Sequence, residues 1–95
     1  MLDGKHEGDL FVDDGLVVTG LITGVAFVRS GGFLDLRGTV IGGVQVEAGG
    51  GARIDGTVGG DVIADLRSAV EINGVMRGQV RGQSVRVSPD AVIGG

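Results

Sequence analysis

The chain has 95 residues, of which 42% are hydrophobic and only 3% aromatic, and its formal net charge at pH 7 is −4. This acidic balance argues against binding nucleic acid or an anionic membrane through a general basic field. Glycine accounts for 21 residues without a three-residue period, and cysteine is absent, which excludes collagen-like structure, disulfides and thiolate metal sites.

The first eight residues are polar and predict a short N-terminal tail, followed by one β-helix domain over residues 9–95. His6 is the only histidine and is interpreted as a mobile residue of this tail. The apolar stretch from Leu16 to Val28 is interrupted by Gly20 and Gly24, so it predicts neither a signal peptide nor a membrane span. We therefore expect a cytoplasmic protein.

Four segments repeat at a spacing of eighteen residues, beginning at Val18, Leu36, Ile54 and Ile72, each with glycine at its third and seventh positions. A fixed period of this kind is typical of coiled repeat proteins. Apolar residues fall at alternate positions within a unit, as in β-strands. Five apolar columns result: Leu16–Leu34–Ala52–Val70, Val18–Leu36–Ile54–Ile72, Ile22–Val40–Val58–Met76, Ala26–Val44–Val62–Val80 and Leu10–Val28–Val46–Ala64.

The glycines between these columns predict the corners of a coil, where the backbone bends sharply or approaches its neighbour. Eighteen residues with three corners predict an all-β, single-domain parallel β-helix (β-solenoid) of about five coils, triangular in cross-section. The columns between the apolar ones mix opposite charges, and ion pairs between successive coils are expected there. The expected pairs are Asp35–Arg53–Glu71, Arg37–Asp55 and Arg29–Glu47.

The first two coils carry apolar residues at positions where later coils are polar or charged. Contiguous exposed apolar surface usually marks a contact site, so these positions are a candidate lateral interface for another protein. The set comprises Phe11, Val17, Leu21, Val25, Phe27 and Ile41.

The fifth coil departs from the register, and Ala91 and Ile93 match Val70 and Ile72 only if three residues are inserted near Ser88 to Asp90. No capping helix is predicted at either end of the stack. Because uncovered strand edges pair readily with other chains, we expect the end coils to contact other copies. The candidate end-to-end contacts are Leu10, Phe11 and Val12 in the first coil and Val85, Val87 and Ile93 in the last.

Three classes of solenoid share this period. Calcium-binding repeats need a glycine and aspartate spacing that Gly59 to Val62 only begins. Hexapeptide acyltransferases need an aliphatic residue every six positions, which is present from Leu10 to Met76, but the following residues match poorly. Such an enzyme also requires a histidine in a cleft, where His6 is poorly placed.

The segments from Ile54 to Val62 (IDGTVGGDV) and from Ile72 to Val80 (INGVMRGQV) resemble the repeat of the bactofilin family, as do the Gly-Asp-aliphatic steps at Gly8 and Gly60. The resemblance covers residues 8–95. It implies a right-handed β-helix and a scaffold that polymerises end to end without nucleotide, with partners at the inner face of the membrane. The alternative is a non-enzymatic binding module, an adaptor or toxin-immunity protein, that uses the apolar face. Neither reading includes catalytic residues, cofactor, metal, nucleic acid or direct membrane insertion.

Overall fold

The computed structural model describes residues 4–65, 67–82, 85–89 and 91–93. The described residues form sixteen short β-strands and no helix, and therefore no helix that could cross a membrane. The strands are β1 (Lys5–His6), β2 (Leu10–Val12), β3 (Gly15–Val18), β4 (Leu21–Ile22), β5 (Val25–Val28), β6 (Phe33–Leu36), β7 (Thr39–Val40), β8 (Gly43–Val46), β9 (Gly51–Ile54), β10 (Thr57–Val58), β11 (Asp61–Ala64), β12 (Ala69–Ile72), β13 (Val75–Met76), β14 (Val80–Arg81), β15 (Val85–Val87) and β16 (Val92–Ile93).

The strands form three parallel sheets, and the chain visits them in turn, so that every third strand belongs to the same sheet. Sheet 1 has the order β1-β4-β7-β10-β13-β16, sheet 2 the order β2-β5-β8-β11-β14, and sheet 3 the order β3-β6-β9-β12-β15. This arrangement confirms the predicted β-solenoid with three faces.

The eighteen-residue spacing holds strictly from Gly15 to Arg81, which is about four coils. Leu16, for example, pairs with Leu34, and Leu34 with Ala52. The strict repeat is thus about one coil shorter than predicted, because the coils at both ends have different lengths.

The first coil is shorter by two residues, and it includes part of the segment predicted as a tail. Lys5 pairs with Leu21 and His6 with Ile22, so each partner lies sixteen residues further on. His6 lies in β1, where its register position continues an inward column and its Nε2 lies 2.9 Å from the carbonyl oxygen of Asp9. The polar sequence hides this strand because it lacks apolar alternation.

The same shift changes one predicted apolar column. Val12, not Leu10, is the partner of Val28, whereas Leu10 pairs with Ala26. The predicted column assumes a spacing of eighteen residues, whereas the spacing in this coil is sixteen.

The last coil is also irregular, but not by the predicted insertion. Val85 pairs with Val70, fifteen residues earlier and not eighteen, because the connection between β14 and β15 is three residues shorter than in the regular coils. Val92 pairs with Val75, seventeen residues earlier, so the turn at Ser88 and Pro89 restores two residues. The predicted match of Ala91 and Ile93 with Val70 and Ile72 is therefore wrong.

The inward columns form a single apolar core along the axis of the solenoid. Leu34, Leu36, Ile54, Ile72 and Met76 are all completely buried. Burying a side chain of this size contributes about 1.5–3 kcal/mol to the free energy of unfolding. Each further coil buries a similar set of side chains against the coil before it. Stacking therefore supplies a core that one eighteen-residue coil lacks.

Glycines occupy the corners, as predicted, for two different reasons. At Gly56 the reason is space, because a Cβ there would coincide with the carbonyl oxygen of Gly38 in the preceding coil. At the corner between sheets 2 and 3 the reason is conformation, because Gly31, Gly49 and Arg67 have φ of 84°, 85° and 64°. Arg67 is the only described non-glycine residue with positive φ.

The outer ion pairs differ from the predicted ones. Asp35, Arg53 and Glu71 are register partners, as expected. Two close pairs, however, join neighbours on one strand and the corner after it: Arg37 Nη2 lies 3.4 Å from Asp35 Oδ2, and Arg53 Nε lies 3.3 Å from Asp55 Oδ2. Arg29 pairs between coils, but with Asp13 of the preceding coil, at 3.6 Å. Residues two apart on a strand share a face, and that proximity competes with pairing between coils.

Candidate interaction surfaces

The outer face of sheet 2 carries one column that changes from aromatic to basic along the solenoid. The rings of Phe11 and Phe27 stack with centroids 5.2 Å apart and planes inclined by 14°. Phe11 is 58% exposed and Ile63 40% exposed, so the column presents apolar surface to solvent at both of its halves. The aromatic column consists, in register order, of Phe11, Phe27, Gln45, Ile63 and Arg81.

A second outward column lies beside it and explains the Gly-Asp-aliphatic motif. Asp9 Oδ1 accepts a hydrogen bond of 2.9 Å from the N–H of Val25, and Asp61 Oδ1 accepts one of 2.8 Å from the N–H of Gln79. Each carboxylate also overlaps the place that a Cβ would take on the glycine before the donor residue. This glycine is Gly24 for Asp9 and Gly78 for Asp61. The motif therefore joins one coil to the next through a side chain.

The six residues of the predicted lateral interface lie on different faces. Phe11, Val25 and Phe27 share the outer face of sheet 2, and Ile41 is 51% exposed at the corner between sheets 1 and 2. Val17 lies on sheet 3 and Leu21 on sheet 1, and both are half-buried. Alternation along a strand separates inward from outward positions, but three faces share the outward ones. Only the members on sheet 2 form one surface.

The predicted end contacts lie on outermost strands, but of different sheets. Leu10, Phe11 and Val12 are in β2, the edge of sheet 2, whereas Val85 and Val87 are in β15, the edge of sheet 3. Sheet 2 ends at its other edge in β14, which the sequence reasoning missed. The remaining predicted contact, Ile93, lies in β16, at the edge of sheet 1.

The two ends differ in their apolar cover. Val12 is only 2% exposed, although it lies on an edge strand. Val87 continues the inward column of Ile72 and is nevertheless 43% exposed, since β15 is the outermost described strand of its sheet. At this end, which β14, β15 and β16 form, the apolar core is thus open to solvent at Val87.

The two ends also differ in charge. We call the end formed by β1 to β3 the acidic end, and the end formed by β14 to β16 the basic end. Sequence reasoning could have found this polarity by summing charge coil by coil. The exposed charged side chains are Lys5, Glu7, Asp9, Asp13 and Asp14 near the acidic end, which stays acidic on balance, and Arg77, Arg81 and Arg86 near the basic end.

Sheet 3 carries a groove of about 620 Å³ that the sequence reasoning also missed. The ring of Phe33, which is 47% exposed, leans over Gly51 and forms one wall. The groove adjoins the shortened corner of the last coil, with Ser68 and Val85 on its two sides. Its lining consists of Phe33, Ala52, Arg53, Ser68, Ala69, Val70, Glu71, Val85 and Arg86.

The chemistry of the groove is limited by what its side chains already bind. The Ser68 hydroxyl donates a hydrogen bond of 2.5 Å to the carbonyl oxygen of Asp65, which closes the local turn. The lining contains no histidine, the residue that the acyltransferase alternative requires in a cleft. Within the part of the chain that the structure describes, no three His, Asp or Glu side chains are grouped as metal ligands.

Comparison of the chain with protein-family models, with curated proteins and with solved structures found no match. The β-solenoid architecture is observed directly, whereas the resemblance to the bactofilin family remains a prediction from the repeat sequence.

Proposed function

We propose that this protein is a bactofilin-like structural scaffold that assembles by end-to-end stacking of its coils, without nucleotide. The observation that carries the proposal is that the two ends are complementary. Each end has unpaired strand edges, which readily accept strands of another chain. The basic end adds Val87, an exposed member of an inward apolar column, and the two ends carry opposite net charge. In the cell, such a polymer would lie in the cytoplasm and reach the membrane through its partners.

Stacking of the basic end on the acidic end of another copy can continue sheets 2 and 3, which have five strands each. Strands β14 and β15 would pair with β2 and β3 of the next copy, whereas sheet 1 has six strands, so β16 would take the place of β1 of the next copy. Val85 would then meet Leu16 of the next copy, and Val87 would meet Val18. Each contact joins apolar side chains that continue an inward column.

Charge selects this head-to-tail direction. Arg81 would lie beside Phe11 of the next copy, where a guanidinium over an aromatic face contributes about 0.5–1 kcal/mol at an exposed site. Two acidic ends or two basic ends brought together would instead juxtapose like charges. Exposed ion pairs contribute only about 0–1 kcal/mol each, so the charges set direction while apolar burial and strand pairing supply affinity.

Val87 provides the test, since it is exposed at the basic end and faces the core column. We expect the wild-type protein to form filaments or large particles without added nucleotide, measured by electron microscopy and light scattering. Val87→Asp should abolish end-to-end growth, because it places a carboxylate in the stacked core. Val75→Asp is the matched control, since Val75 is 40% exposed on the side of the solenoid against 43% for Val87.

Circular dichroism must show that both variants retain their β-structure. The proposal fails if wild-type protein stays a single copy or a discrete dimer at high concentration. It also fails if folded Val87→Asp grows as wild type does.

The second candidate function is a binding module for one partner protein, and the exposed Phe11–Phe27 pair favours it. In this case Phe27→Glu should abolish capture of that partner in a pull-down and leave end-to-end growth unchanged. Growth without partner capture supports the scaffold, whereas capture by a protein that never grows supports the binding module.

A further inference from the structure

We propose that the outer face of sheet 2 binds a second copy of the chain, with the two solenoids side by side and antiparallel. The inference does not depend on end-to-end stacking. It rests on the order of side chains in the aromatic column. When two copies of this column face each other in opposite directions, each side chain meets one that it fits.

A twofold axis that runs along the strands through β8 brings the two faces together. Each outward column then faces the same column of the second copy, in reverse order. Phe27 faces Ile63 of the second copy, which pairs two apolar side chains. Phe11 faces Arg81 of the second copy, which pairs an aromatic ring with a guanidinium. Gln45 faces Gln45 of the second copy, and two amides hydrogen-bond to each other well.

The neighbouring column sets Val25 opposite Asp61 of the second copy, which is unfavourable, but its other pairs fit the same arrangement. Asp9 lies opposite Gln79 of the second copy and diagonal to Arg81 of the second copy, so a carboxylate at one end meets a guanidinium at the other. Gly43 lies opposite itself and presents no side chain at the centre. The acidic end of each copy thereby lies over the basic end of the other.

The other symmetric arrangement on this face is unfavourable. A twofold axis along the solenoid would keep the two copies parallel and place each outward column against the other one. Phe11 would then face Asp9 of the second copy, and Ile63 would face Asp61 of the second copy. Each pair sets a carboxylate against an apolar side chain, which costs free energy on burial. The parallel arrangement thus has two such pairings, whereas the antiparallel arrangement has one, Val25 with Asp61.

The other two faces lack this complementarity. On sheet 3, the antiparallel arrangement would set Arg53 against Arg53 of the second copy and Asp35 against Glu71 of the second copy. Sheet 1 has strands of only two residues and one outward column, in which Leu21 is half-buried. Sheet 2 is therefore the face that fits a second copy.

The size of the face predicts a weak dimer. Five strands at about 4.8 Å and four residues at about 3.3 Å span roughly 24 Å by 13 Å. The resulting area of about 300 Å² per copy is well below the approximately 800 Å² per partner of a stable interface. Pairing should therefore be weak for single copies, and stronger where several faces are aligned along a polymer.

Sedimentation of the Val87→Asp protein tests the pairing separately from end-to-end growth. We expect a concentration-dependent dimer that becomes at least tenfold weaker in Val87→Asp/Ile63→Asp, which sets a carboxylate against Phe27 of the second copy, and is unchanged in Val87→Asp/Val75→Asp. Ile63 and Val75 are both 40% exposed, on different sheets. A monomer at every concentration, or equal loss in both double variants, overturns the proposal. Dimerisation without growth of the wild type would refute the proposed function alone.

Cross-linking in the otherwise wild-type chain provides a second measurement, and the chain has no cysteine to interfere. With a short bismaleimide, Gln45→Cys should yield covalent dimers, because this position faces itself across the twofold axis. Gln79→Cys should not, because its two copies lie four strands apart, about 19 Å. Dimers from Gln79→Cys, or none from Gln45→Cys, would refute the antiparallel arrangement.

Discussion

Gly56→Ala should destabilise the protein severely, although the substitution adds a single methyl group to a half-buried position. The Cβ of alanine would coincide with the carbonyl oxygen of Gly38. That oxygen accepts a hydrogen bond of 2.9 Å from the N–H of Thr57, and the N–H of Gly56 donates one of 3.0 Å to the carbonyl oxygen of Leu36. Relief of the overlap must therefore separate the two coils where they are hydrogen-bonded.

The magnitude follows from these contacts. Overpacking a close contact costs about 1–3 kcal/mol, and each weakened backbone hydrogen bond adds about 0.5–1.5 kcal/mol. We expect a loss of about 2–4 kcal/mol in the free energy of unfolding. In a domain of this size 1 kcal/mol corresponds to about 4–8 °C, so Tm should fall by about 10–30 °C.

Thermal unfolding followed by circular dichroism measures this change, with urea unfolding as a check on the free energy. Gly15→Ala is the matched control, because no atom lies within 4 Å of its added Cβ and its φ is not in the left-handed region. The control should keep Tm or raise it slightly, since alanine restricts the unfolded chain. A Gly56→Ala protein whose Tm lies within about 3 °C of the wild-type Tm would have lost less than about 1 kcal/mol. That result would refute the close stacking of the corners.

Two further substitutions test the contacts between and within coils. Asp61→Ala removes the carboxylate that accepts the N–H of Gln79 and should lower the free energy of unfolding by about 1–2 kcal/mol in urea unfolding. The exposed Asp13, which pairs with Arg29 at 3.6 Å, is its control, and Asp13→Ala should change stability by less than about 0.5 kcal/mol. Arg67→Gly should raise Tm by a few degrees, because the left-handed φ costs an ordinary residue roughly 1–2 kcal/mol, partly offset by the chain entropy of glycine. A fall in Tm would show that the Arg67 side chain stabilises the corner.

The regular part of the fold could be predicted because its cause is local and repeated. Side chains in stacked coils meet their equivalents, so an apolar column in the sequence is a buried column in the structure, as Ile54 and Ile72 show. The prediction failed at the two ends of the solenoid, because the spacing between paired residues changes there. Lys5 and His6 show no apolar alternation that would indicate a strand. The register of Val85 follows from a corner that is three residues shorter than in the regular coils, and no residue type in the sequence indicates that shortening.

The candidate surfaces could be predicted only in part, for a related reason. Outward positions were identified correctly for Phe11 and Phe27, but the face to which each outward residue belongs follows from the corner geometry. Val17 and Phe27 illustrate this, since both face outward in adjacent coils yet lie on sheets 3 and 2. The groove beside Phe33 was missed because its lining comes mostly from four strands that are far apart in the sequence, and no motif marks it.

The uniform core makes the outer columns the only part of the solenoid that can specify association. Inward positions hold valine, isoleucine, leucine, alanine or methionine in almost every coil, so one apolar end fits another nearly equally well whichever coils meet. Outward positions differ from coil to coil, from Phe11 through Gln45 to Arg81 on sheet 2 alone. Direction and partner choice in any assembly of this chain must therefore depend on side chains that contribute little to the stability of the fold. Substituting them should change assembly while leaving Tm almost unchanged, except at Asp9 and Asp61, whose carboxylates join successive coils.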